Sequence, residues 1–113
     1  MIVFKVVRRE ADGRLISAAP LALALEYKIK RKIKPKKDCG PLCAFNTSEC
    51  AKRWIKKYQP HFGLQLVAYL AKAEPSSQKR IWGYYPNKKY SIRRLPKGTV
   101  LCDSITLQRE ISG

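Results

Sequence analysis

Between Leu21 and Lys34 the chain alternates. Leu21, Leu23, Leu25, Tyr27, Ile29 and Ile33 take odd positions, while Ala22, Ala24, Glu26, Lys28, Lys30, Lys32 and Lys34 take even ones; only Arg31 breaks the odd row. Successive side chains of a strand point to opposite faces, so a period of two predicts one long, half-buried strand. Such a strand must lay its apolar row on another layer, which commits the chain to a sheet-based fold.

Other segments fit the same architecture. Ile2 to Arg8 is β-branched and aromatic and predicts a strand. Asp12-Gly13 marks a hairpin-type turn, with Leu15 to Ala18 returning. Pro35 to Pro41 reads as a loop and Leu42 to Phe45 as a short strand. Ala51, Trp54, Ile55 and Tyr58 then recur at helical spacing, between a cap at Asn46 or Thr47 and a stop at Pro60 and Gly63. Glu49, three residues beyond Asn46, resembles the far half of a capping box. Leu64 to Ala71 predicts a strand and Glu74 to Lys79 a polar turn. Arg80 to Arg94 predicts an irregular hairpin broken at Pro86-Asn87. Pro96-Lys97-Gly98 is a turn before a final strand from Thr99 to Ile111, bent near Asp103. The expectation is one α+β domain over residues 1–113: a small, mostly antiparallel sheet with one amphipathic helix packed on it.

Charge sets the functional question. The 24 Lys and Arg residues outnumber 8 Asp and Glu residues for a net charge of +16. A small soluble domain usually carries a net charge of magnitude ~2–8, and a larger excess repels itself, so it points to an acidic partner. No apolar run approaches the ~20 residues of a membrane-spanning helix, so no membrane role is expected. The apolar stretch Leu15–Leu25 is broken by Pro20, and Glu10 and Asp12 interrupt the basic residues before it. A cytoplasmic location is therefore expected over export.

Three basic constellations are the candidate nucleic-acid contacts. Lys28, Lys30, Arg31, Lys32, Lys34, Lys36 and Lys37 place seven cations in ten residues. On a strand, alternate side chains share a face at ~6.6 Å spacing, a ladder that phosphates could meet. The competing reading is an edge strand kept from aggregating by its lysines. Lys52, Arg53, Lys56 and Lys57 lie opposite the Trp54 stripe and form like-charge i,i+4 pairs, which a purely solvated helix seldom keeps. Between residues 79 and 94, Lys79, Arg80, Lys88, Lys89, Arg93 and Arg94 interleave with Trp82, Tyr84, Tyr85 and Tyr90. Aromatic faces stack on unpaired bases while cations hold the backbone, although the same residues also suit a half-buried hairpin.

Catalytic and metal chemistry have little support. Cys39, Cys43 and Cys50 follow a C-x3-C-x6-C spacing that lacks a second ligand pair; with Cys102 they are expected to be reduced, with disulfides or a zinc site as the alternatives. His61 is the only histidine, the eight acidic residues are dispersed, and no phosphate-binding glycine motif occurs. No enzyme activity, metal or cofactor is expected.

Gly40-Pro41-Leu42-Cys43-Ala44-Phe45-Asn46-Thr47 leads into the helix, and Thr99-Val100-Leu101-Cys102-Asp103-Ser104-Ile105-Thr106-Leu107 lies near the end. With Lys5 to Arg9, Asp12-Gly13 and Ser17-Ala18, these stretches resemble small uncharacterised proteins of bacteriophages and other microbial viruses. The resemblance spans about a third of the chain, brings no catalytic residues, and implies a viral accessory protein working inside a microbial cell. The lysine run departs from that pattern. The sequence thus points to a small non-enzymatic nucleic-acid-binding protein, DNA or RNA being its partner. The alternative is a protein-interaction module, a host-takeover factor whose basic face meets an acidic host protein.

Overall fold

The first strand, β1 (Ile2–Arg9), is buried on both faces, which explains its nearly unbroken apolar run. Val3 and Val7 point into one core cluster, and Val6, with Phe4 beside it, into another. The computed structural model describes residues 1–18, 25–35, 41–61, 65–78, 80–82, 89–91 and 95–111.

Four strands close on themselves. β1 pairs antiparallel with β6 (Gln65–Pro75), from Ile2 opposite Lys72 to Arg9 opposite Gln65. β6 pairs with β9 (Thr99–Glu110), and β9 with β5 (Leu42–Phe45). β5 returns to β1 through Phe4 opposite Phe45, completing a small barrel-like sheet. β2 (Leu15–Ser17) extends β1, and β3 (Glu26–Tyr27) extends β2. β4 (Lys32–Ile33) runs along β9, while β7 (Arg80–Trp82) and β8 (Lys89–Ser91) form a separate two-stranded sheet. The fold is therefore mostly antiparallel sheet with a single helix among the described residues.

The barrel interior holds Val3, Val7, Tyr27, Ala71, Ile105 and Leu107, all essentially inaccessible to water. A charged side chain enters with them: Lys5, on the same face of β1 as Val3 and Val7, is 3% exposed. Its Nζ donates to the Cys43 carbonyl at 2.7 Å and lies 5.5 Å from the centre of the Tyr27 ring. Burial opposes this charge, whereas ionised Tyr27, Cys43 or Cys102 would favour it; the net direction of the Lys5 pKa is upward.

Helix α1 (Ser48–Tyr58) covers the outside of the ring. Thr47, with extended backbone, is the cap: its Oγ1 accepts from the Cys50 amide at 3.2 Å. Glu49 in the first turn and Lys56 and Lys57 in the last complement the helix dipole. Ala51 is fully buried, and Trp54, Ile55 and Tyr58 pack with it over Phe4, Val6, Phe45, Leu66 and Ala68. The predicted helical stripe is thus the outer core, with the Trp54 and Tyr58 rings 4.7 Å apart.

Two predicted segments differ. The single long strand from Leu21 to Lys34 does not form over its described part. β3 ends at Tyr27, a turn occupies Ile29 and Lys30, and the chain restarts as β4 against a different strand. Ile29, expected in the apolar row, is 49% exposed; Leu21 to Ala24 lie outside the described residues. The predicted polar turn at Glu74 instead begins as strand, because β6 runs on to Pro75, where it still pairs with β9. The bend expected near Asp103 corresponds to a register shift. Glu74 faces Ser104 and Pro75 faces Cys102, leaving Asp103 unmatched.

Candidate nucleic-acid interface

The lysine run forms a turn and a short strand paired along the edge of β9. Arg31 N–H donates to the Lys28 carbonyl at 3.1 Å, and Lys30 N–H donates to the Leu107 carbonyl at 2.8 Å. Lys30 has φ +67°, the one positive φ at a non-glycine residue among those described. That conformation crowds Cβ against the following carbonyl and costs about 1–2 kcal/mol outside glycine. Lys30 Nζ continues to Gln108 Oε1 at 3.0 Å, so both backbone and side chain tie the turn to β9.

Register then builds a row that sequence reading missed. Ile2 stands opposite Lys72, Lys72 opposite Thr106, and Thr106 opposite Lys32. Cross-strand partners share a face, and here it is the outer one, since Ile105 and Leu107 on either side of Thr106 are buried inside. Lys72 and Lys32 are two strand spacings apart, about 10 Å. Leu70 and Arg109 form the neighbouring pair. Lys34, next after Lys32 on this face, is exposed and near enough to help hold Glu74 ionised.

Glu74 is an acidic residue held within this surface. It pairs with Lys32 and accepts from Ser104 Oγ at 2.6 Å. Lys32 first, then Ser104, holds its carboxyl below the ordinary range. Lys28 has a looser contact with Glu26, at 4.0 Å. Lys28, Lys30, Arg31, Lys32, Lys34 and Lys72 therefore outnumber the neighbouring carboxylates of Glu26, Glu74 and the exposed Asp103. Residues Lys36 and Lys37 lie outside the described residues.

The second constellation sits elsewhere. Lys52, Arg53, Lys56 and Lys57 are all exposed on α1, which packs on β1, β5 and β6 rather than on β4. Among the described residues no carboxylate pairs with them, and Lys57 Nζ lies 5.3 Å from the centre of the Tyr58 ring. Of the third constellation, Arg80 stands opposite Ser91, Ile81 opposite Tyr90, and Trp82 opposite Lys89. This agrees with the predicted hairpin; Lys79, Tyr84, Tyr85, Lys88, Arg93 and Arg94 lie outside the described residues.

Among the described residues no three His, Cys, Asp or Glu side chains cluster as metal ligands. Cys43, Cys50 and Cys102 are free thiols, and Cys39 lies outside the described residues. Burial pushes the Cys102 thiol up to about 11, which removes it as a nucleophile at neutral pH. His61 ends a single 3-10 turn, Gln59–His61. No described helix is long and apolar enough to cross a membrane.

Lys72, Thr106, Gln108 and Arg109 are thus surface residues the sequence alone did not mark. Comparison with protein-family models, curated proteins and solved structures found no match for the chain.

Proposed function

We propose that the chain is a small, non-enzymatic nucleic-acid-binding protein that grips phosphates with the outer face of β4, β9 and the Lys72 end of β6. One observation carries this reading: Lys32 and Lys72 share the outer row through Thr106, with Lys34 next on that face and Lys28, Lys30 and Arg31 in the adjoining turn, beside the carboxylates of Glu26, Glu74 and the exposed Asp103. Phosphate contacts of this kind give affinity by counterion release and carry little sequence information. The basic face of α1 would add a second phosphate contact on another side of the molecule. The resemblance to small phage proteins supports a viral accessory role in the host-cell cytoplasm, where nucleic acid is abundant.

The test is co-purification. Protein prepared at low salt is expected to show a high 260/280 nm absorbance ratio, which a high-salt wash or nuclease returns to the value of protein alone. A ratio unaffected by either treatment, with an acidic protein retained instead, would overturn the reading.

A further inference from the structure

Ile29 sits at the tip of the basic turn, 49% exposed, between Lys28 and Lys30. Both residues of this tip run against turn chemistry. Such positions normally hold Gly, Asn, Asp or Ser, and the positive φ of Lys30 is the conformation that favours glycine. An apolar side chain left half in water and a strained lysine both cost stability. Neither serves the core: Leu25, Tyr27 and Ile33 supply the apolar contacts of this segment. The strain is held by the bonds from Lys30 to Leu107 and Gln108, which fix the turn against β9 and leave Ile29 half exposed.

We infer that Ile29 is a wedge that enters a stacked base step of duplex DNA while the cations around it hold the flanking phosphates. This rests on the nucleic-acid reading above and deepens it by naming the double helix as the substrate. Apolar side chains inserted at a base step partly unstack it and kink the duplex, most easily at pyrimidine–purine steps. The required parts are one apolar group on a rigid projection and cations on both sides of it. In the chain Lys28 precedes Ile29, and Lys30, Arg31, Lys32 and Lys34 follow it. A membrane surface would need a larger apolar area than one isoleucine offers. A single-strand platform would call for aromatic faces rather than an aliphatic tip.

The experiment uses the full chain and a 20-base-pair duplex carrying 2-aminopurine at a central TA step. Binding by the wild type is expected to raise 2-aminopurine fluorescence, because unstacking relieves its quenching. Ile29→Ala should abolish that rise and lower affinity roughly 3- to 10-fold, as loss of one partly buried apolar group would. Its salt dependence should stay that of the wild type, since no phosphate contact is removed. Ile29→Leu should restore the fluorescence. Wild-type binding without a fluorescence change, or an Ile29→Ala variant that keeps the change, would overturn the wedge and leave phosphate binding standing. Failure to bind any duplex or single strand at low salt would remove the nucleic-acid reading and the wedge together. Preferential binding of anionic phospholipid vesicles, lost in Ile29→Ala, would overturn the wedge in favour of a membrane.

Discussion

Changing Lys30, Lys32, Lys34 and Lys72 together to glutamine is expected to cut affinity for a generic duplex about a thousandfold at 0.1 M salt. Each phosphate contact contributes close to one unit of slope between log affinity and log salt, so removing four flattens the slope by roughly 3–4 units. The loss should be the same for all sequences, because phosphates and not base edges are being released. These side chains are exposed, and the outward row does not feed the core, so the fold should persist. Matching circular dichroism spectra and melting temperatures would establish that. The rival account, an edge kept soluble by lysines, gives a different result: the variant aggregates, and any binding keeps its slope.

Gly98→Ala is expected to destabilise the protein by about 3 kcal/mol, adding the cost of a left-handed alanine to that of an overpacked contact. Gly98 has φ +85°, and a Cβ there would lie 2.6 Å from Cys50 Sγ and 2.9 Å from Asn46 Oδ1. The Gly98 carbonyl also accepts from the Asn46 amide at 2.8 Å, so this turn clamps the entrance of α1. A loss of this size lowers the melting temperature by roughly 10–20 °C in a domain of this length. Adding Cys50→Ala should recover only the clash with the sulfur, because the Asn46 Oδ1 contact at 2.9 Å, the Cβ of residue 50 at 3.0 Å and the unfavourable backbone conformation stay. An unchanged melt for Gly98→Ala would mean the turn does not pack against the helix.

The elements legible in the sequence are those whose signals are local. The helix announced itself through the spacing of Ala51, Trp54, Ile55 and Tyr58 and through a capping residue, although only the structure chose Thr47 over Asn46. The turn at Gly13 carried the expected glycine, which adopts φ +91°. The turn at Ile29 and Lys30 carried none, and the alternating pattern ran straight through it. What bends the chain there is a carbonyl at Leu107, far away in sequence. Glu74 to Lys79 read as a polar turn, yet Glu74 and Pro75 end β6 paired with Ser104 and Cys102. The same limit governs the site. The cations at positions 28 to 34 were visible as a run, but Lys72 joins them only through Thr106. Lys5 offered a signal in principle: it shares the inward face of β1 with Val3 and Val7, so strict alternation would have buried it.

The central claim, that the outer face of β4, β9 and the Lys72 end of β6 binds nucleic acid through phosphates, is tested most directly by the salt dependence of wild-type binding to a labelled 20-base-pair duplex. With ~4–8 phosphates neutralised, log affinity should fall linearly against log salt with a slope of about −4 to −7. A slope near zero, or no binding to DNA or RNA at low salt, would contradict it.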